Sequence, residues 1–255
     1  MIEQIRKKID ELSFELEVEQ VKRDKLKDAV IQSYSFPQVD KKMALGAIDH
    51  TILSFNAAER DVEKVCFEVD KYKFKAICVN PVWVKKVFEI RKKTNHHFLI
   101  ASVVDFPLGA STLNARISET KQAVEDGADE IDIVMNIGLL KSGMKKEVYE
   151  NLKKVIEEVK SYYKVILETS ELSFEEKIEG ALIALFAGAN MLKTSTGVNG
   201  KATVEDVKLL RMLAGEKIGV KAAGGIRDKA SLIEMMRAGA DRVGCSSSVK
   251  IADSW

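Results

Sequence analysis

Two lysines stand late in apolar stretches of the chain, Lys193 in NMLKTSTG and Lys221 in IGVKAAGG. Lysine is almost never fully buried without a partner, so two of them in consecutive strand-like runs call for a chemical reason. On neighbouring strands of a parallel sheet, typically about 4.8 Å apart, their ammonium groups would lie roughly 6 Å from each other. At an effective dielectric near ~20 the repulsion is about 3 kcal/mol, on the order of two pK units, which leaves one lysine a free amine near neutral pH. Such an amine attacks a carbonyl and forms a Schiff base. The alternative is that either lysine is a structural ion-pair partner of Asp132 or Glu168.

Asp132 belongs to EIDIVMN. Strand side chains alternate, so the apolar set Ile131, Ile133 and Met135 suits a helix-facing side and turns Glu130, Asp132, Val134 and Asn136 inward. An inward aspartate serves as a general acid and base or as a salt-bridge partner. Two further segments can hold an anion. AAGGIRD places Gly224 and Gly225 where backbone N–H groups can approach a ligand closely, with Asp228 able to cap the next helix. GCSSS offers Gly244, Ser246 and Ser247 at the start of a short helix.

What must position these groups is a repeating unit. From about residue 44 short apolar runs alternate with helical periodicity: MALGAIDHT, KAICVN, FLIASVVDF, DEIDIVMN, KVILETS, NMLKTSTG, IGVKAAGG and DRVGCSS are the strands. Eight such units in about 210 residues predict a closed α/β TIM (β/α)₈ barrel, whose reactive groups sit at the C-terminal strand ends and whose phosphate site follows strands 7 and 8. An open doubly wound sheet is the second choice, and no GxGxxG follows the first strand. Before the barrel, Ile2, Ile5, Ile9, Leu12 and Leu16 recur at helical spacing, and Leu26 and Val30 resume the seam after Glu19 and Arg23 interrupt it. The reading is an additional N-terminal amphipathic helix and linker over 1–40, laid against a catalytic barrel at 41–255, with self-association as its other use. SYSFPQVD, with Pro37, is the expected linker.

Composition excludes several classes. Forty Lys+Arg against 39 Asp+Glu leave a net charge of +1, so no global field draws the chain to nucleic acid or a membrane. Cys66, Cys78 and Cys245 are too few and too scattered for a disulfide framework or a cysteine zinc site, which with the charged N-terminus points to the cytoplasm. His50, His96 and His97 make no zinc spacing, so no metal is expected. Cys78 and Cys66 read as small buried apolar side chains. Trp255, at the end of IADSW, could fold over the site or fray.

With DHTIL, AICVNP, FPLGAST, GADEIDIVMNIGLLKSG, KVILETSELS, GANMLKTSTGVNGKATVEDV, GVKAAGGIRD and RVGCSSSV in order over about 210 residues, the chain resembles the deoxyribose-phosphate aldolases, class I enzymes without a metal. The resemblance implies reversible cleavage of 2-deoxy-D-ribose 5-phosphate to glyceraldehyde 3-phosphate and acetaldehyde, with no cofactor. It implies Lys193 as the Schiff-base lysine, Lys221 as its neighbouring lysine and Asp132 as the proton-transfer residue. It assigns phosphate contacts to Gly197, Gly224, Gly225, Gly244, Ser246 and Ser247, and the pocket wall to Asp49, Thr51 and Leu53. The partners expected are a sugar phosphate, an aldehyde and a second copy of the chain in a homodimer. Two positions depart from the family pattern: Asp105 stands before FPLG where Gly is usual, and Val198 follows KTSTG where some members carry Lys. Rival readings are another Schiff-base lyase, transaldolase-like or of the fructose-bisphosphate type, and a catalytically silent barrel that acts as a scaffold through its N-terminal helix.

Overall fold

The computed structural model describes residues 1–31, 34, 38–94 and 96–255. Two helices open the chain, α1 (Ile2–Glu15) and α2 (Gln20–Ala29), and a short α3 (Lys41–Gly46) leads into the first strand. Strands and helices then alternate: β1 (Ile48–Ile52), α4 (Glu59–Tyr72), β2 (Ala76–Val79), α5 (Val84–Arg91), β3 (Leu99–Val104), α6 (Leu113–Glu125) and β4 (Glu130–Val134). A helical pair α7 (Ile137–Lys141) and α8 (Lys145–Glu158) follows, then β5 (Tyr162–Ile166), α9 (Phe174–Ala187), β6 (Met191–Lys193), α10 (Val204–Ala214), β7 (Gly219–Ala223), α11 (Lys229–Ala238), β8 (Arg242–Cys245) and α12 (Ser248–Asp253). All eight strands are parallel and close in sequence order, β8 pairing back onto β1. The expected barrel is the fold.

Local sequence accounts for the punctuation. Asp228, Ser173, Thr203 and Thr112 each accept a hydrogen bond from a backbone N–H in the first turn of the helix they precede. Gly188 and Gly239 close α9 and α11 at φ 105° and 117°, conformations that cost glycine nothing. The strands are short and buried on both faces, as a parallel barrel covered by helices requires. Ile131 and Ile133 join the hydrophobic layer under the helices, while Glu130 and Asp132 point to the barrel axis and meet Lys164.

Three boundaries and the place of Trp255 differ from the sequence reading. The first strand starts at Ile48, because Asp40 caps a helical turn through Met43 N and the run KKMALG has strong helix formers. Asn136 lies beyond β4, where its side chain accepts from Leu139 N and caps α7. Trp255 neither frays nor reaches the strand ends' cavity: it is half-buried with the Lys229 ammonium 4.0 Å from its ring centroid. The single N-terminal helix is two helices, broken where Glu17 turns to φ 54°, and Lys27 crosses back to Asp10 at 2.7 Å. Of the linker segment, residues 33 and 35–37 lie outside the described residues.

The helical hairpin is part of the body. Ile5, Ile9, Leu12 and Leu16 belong to the same apolar cluster as the barrel's helices, and Lys8 reaches Glu175 and Glu179 of α9 at 2.7 and 3.2 Å. The seam that could have served self-association is therefore buried within the chain itself. Ile9 is wholly inaccessible, so Ile9→Ala is expected to lower stability by about 3 kcal/mol as a single shift of the urea transition. A separate early transition with the barrel's midpoint unchanged would show instead that the hairpin folds independently.

Candidate active site

The register of the last five strands gathers the ionisable side chains. Lys193 of β6 lies directly opposite Lys221 of β7, Lys221 lies opposite Arg242 of β8, and Asp132 of β4 lies opposite Lys164 of β5. All point inward and are buried. Asp132 is the hub. Its Oδ2 accepts from Lys193 Nζ at 2.7 Å and from Lys221 Nζ at 2.8 Å, and its Oδ1 accepts from Lys164 Nζ at 2.8 Å. Below it, Lys221 also meets Asp49 Oδ2 at 2.5 Å, Lys164 meets Glu130 at 2.6 Å, and Arg242 holds both Asp49 and Glu130.

These groups do not share the electrostatic load equally. Burial alone would raise the Asp132 carboxyl, but Lys164, Lys193 and Lys221 outweigh it and hold Asp132 well below the usual carboxylate range. Burial would lower Lys221, yet Asp132 and Asp49 more than offset that and push it up. Lys193 has only the shared Asp132, and burial, helped by the Lys221 charge, pushes its ammonium down. Loss of hydration thus contributes ahead of the lysine–lysine repulsion expected from spacing, because both amines share one carboxylate oxygen that screens them from each other.

Lys193 and Lys221 both line a cavity of about 450 Å³ at the C-terminal mouth of the barrel, and of the two only Lys193 keeps any accessible side-chain surface. Thr51 and Leu53 of the first strand end form one wall, and Gly197, Gly224, Gly225, Gly244 and Ser246 line the mouth. Gly224 has φ 103°, and a Cβ there would stand 2.6 Å from the Gly200 carbonyl, so only glycine lets the two loops approach. Thr194 ties them further, accepting from Ala223 N and donating to Ala223 O, both at 3.0 Å. Asp49 is not on the wall: it is completely buried in the ion cluster beneath Lys221. Ser247 also stays off the cavity and precedes α12.

Several contributors carried no sequence signal of their own. Lys164 lies in KVILETS, one strand from the lysine pair, and a count of inward strand positions would have found it. Arg242 begins β8, and nothing in RVGC marks the acids it meets across the barrel. Arg227 of GGIRD is exposed and lines the cavity beside Gly225, adding a cation at the mouth where Val198 supplies none. Phe106 lines the opposite side of the same cavity.

Asp105 explains its own presence. Its φ is 53°, the left-handed region that suits glycine and that aspartate tolerates. Its carboxylate accepts from Ser111 Oγ at 2.7 Å and faces the buried Arg116 at 3.5 Å, pinning the loop that carries Phe106. The remaining candidates are structural. His50 Nε2 lies 2.7 Å from Glu68 and His96 Nε2 2.9 Å from the Phe74 carbonyl, while burial pushes the Cys66 thiol up to about 12 and Cys245 up to about 11. Among the described residues no cluster of His, Cys, Asp or Glu could hold a metal, and no helix is long and apolar enough to cross a membrane.

The sequence model of the DeoC/LacD family aldolases matches residues 43–247. The chain belongs to this family. It is an enzyme, a carbon–carbon lyase of the aldolase type. A deoxyribose-phosphate aldolase of Natranaerobius thermophilus is 50% identical over 210 residues, 81% of this chain and 94% of that one. Another, from Caldanaerobacter subterraneus subsp. tengcongensis, is 47% identical over 213 residues, 82% of this chain and 91% of that one. A Coccidioides immitis protein described as a candidate deoxyribose-phosphate aldolase superposes with TM-score 0.84 at 33% identity, covering 98% of this chain and 97% of its own. The Aeropyrum pernix deoxyribose phosphate aldolase, described as a tetramer, superposes with TM-score 0.79 at 32% identity over 84% and 92% of the two chains.

Replacing Asp105 with glycine would suit the backbone but take from the Arg116 guanidinium, whose side chain is 1% exposed, the carboxylate it faces, leaving it the Val134 carbonyl and the nearby charge of Glu119. The variant is expected to lose about 3 kcal/mol in urea unfolding despite the relieved φ. Stability equal to or above that of the parent would mean that the carboxylate contributes nothing to the loop.

Proposed function

We propose that this aldolase cleaves 2-deoxy-D-ribose 5-phosphate reversibly to D-glyceraldehyde 3-phosphate and acetaldehyde through an imine on Lys193. The observation that carries the reading is the position of Lys193: the one lysine of the cluster whose ammonium is pushed down borders the cavity with Lys221, and of the three lysines it alone keeps any accessible side-chain surface, 3% against none. The activities named for the similar enzymes support the substrate.

The neutral Lys193 amine adds to the C1 aldehyde of the open-chain sugar, and with one proton taken up from solvent at the cavity mouth water leaves, giving a protonated imine. The C2–C3 bonding pair then moves into the C=N⁺ unit while the C3 hydroxyl loses its proton, releasing glyceraldehyde 3-phosphate and leaving an enamine. Asp132, acting through a water, takes the hydroxyl proton and returns one to the enamine carbon. Hydrolysis of the resulting imine frees acetaldehyde and restores the amine. Lys221, which stays charged between Asp49 and Asp132, favours the unprotonated form of Lys193. The phosphate binds against the backbone of Gly197, Gly224, Gly225 and Gly244 with Ser246, and Ser247 at the α12 start completes that loop. Arg227 supplies the charge at the mouth. This remote contact orients the sugar and takes no part in bond breaking.

Borohydride reduction in the presence of acetaldehyde should fix one two-carbon adduct on the peptide containing Lys193, and Lys193→Ala should lose both adduct and turnover. An undiminished adduct in that variant rejects the assignment. Acetaldehyde as preferred donor in a donor panel separates this reading from a transaldolase-like enzyme. In Lys221→Leu the loss of a neighbouring charge raises the Lys193 pKa, so the acid limb of the kcat/KM profile is expected to move to higher pH. An unmoved limb contradicts the coupling.

A further inference from the structure

The barrel interior holds an uneven set of charges. Four bases, Lys164, Lys193, Lys221 and Arg242, meet three acids, Asp49, Glu130 and Asp132, in one connected cluster. Fully ionised, the cluster carries one surplus positive charge away from water, a state that favours loss of a proton from one base. Pairing decides which one. Lys164 faces all three acids, Lys221 faces Asp49 and Asp132, and Arg242 grips Asp49 and Glu130. Lys193 alone has a single carboxylate, shared with two other lysines. Arg242 lies two strands from Lys193, does not line the cavity, and carries a charge that a guanidinium does not give up.

We propose that Arg242 is a positioning residue for charge: by occupying Asp49 and Glu130 at the barrel floor with a proton it cannot lose, it forces the surplus onto Lys193 and sets the pH at which that lysine becomes a free amine. The inference rests on the reading of Lys193 as the nucleophile. The other groups around Lys193 leave the count unchanged. Cys78 on β2 is a thiol held protonated by burial, and inward-facing Ala101 and Val103 on β3 carry no charge. Glu168 at the end of β5 is occupied by Thr196 N, and Tyr162 and Asp241 lie toward the floor beside Arg242. Arg227 stands in solvent at the mouth.

The test is the pH dependence of borohydride trapping with acetaldehyde, the adduct mapped to Lys193, alongside the kcat/KM profile of the full chain. Arg242→Gln leaves three bases and three acids, so Lys193 keeps its proton longer. Across on the order of 10 Å the midpoint is expected to rise by about one pH unit, with trapping below it falling about tenfold. Glu130→Gln removes an acid and moves the midpoint down. The double variant restores the surplus of one, and Arg242→Lys keeps it, so both return to the parental midpoint. If Arg242→Gln does not fold, the downward move in Glu130→Gln and its return in the double variant decide. A purely packing role would leave the midpoints fixed or move both single variants the same way, and either result overturns the proposal while leaving the mapped Lys193 adduct standing. An adduct on a different residue of the parent enzyme removes both readings.

Discussion

Three lysines converge on one aspartate where none of the four side chains is more than 3% exposed, and the rest of the molecule is arranged around that fact. A carboxylate there would be costly without its cations, and each cation would be costly without the carboxylate. Asp132 can satisfy all three geometrically because its two oxygens face different strands, Oδ1 toward Lys164 and Oδ2 toward Lys193 and Lys221. It cannot satisfy all three equally. The lysine with least additional support is the one of the three that keeps accessible surface at the cavity, so the least stable charge lies where a carbonyl compound arrives.

The barrel supplies the conditions for this imbalance. Closure aligns Lys193 with Lys221 and Lys221 with Arg242, which lets a ladder of bases descend along β6 to β8 opposite the acids of β1 and β4. Small residues leave room for long side chains to cross the axis: a Cβ on Gly244 would meet Lys221 Cε at 3.0 Å, and Cys78, Ala101 and Val103 fill the remaining sector without charge. Loops above carry the anion-binding backbone, held together by Thr194 and by the approach of Gly224 to Gly200. Asp105 does comparable work on the far side, fixing the Phe106 loop through Ser111 and Arg116.

Much of this was legible from side-chain type and period. Alternation in EIDIV identified Asp132 as inward, and the two late lysines identified each other. The glycine pair in AAGG indicated a close loop approach, which φ 103° and 78° at Gly224 and Gly225 embody. The misreadings share a cause. The family resemblance put Asp49 on the pocket wall, but the alternation that sends Thr51 to the cavity sends Asp49 one layer down, where its partners come from β7 and β8 at the other end of the chain. Lys164 and Arg242 passed unnoticed for the same reason: each is an ordinary polar residue in its own strand and becomes significant only across the barrel. The N-terminal seam announced a helix and its interruption at Glu19, while the left-handed turn at Glu17 that folds α2 back on α1 is seen only in the structure.

Period and punctuation along the chain determined the eight repeating units, their direction and the inward side of each strand, because these are short-range consequences of backbone geometry. Which charges face one another, how many, and which of them is left short of a partner were decided by closure of the sheet. Electrostatic preference in a dry interior depends on distances across the axis between residues as far apart in sequence as Asp49 and Arg242, and no local pattern encodes those distances.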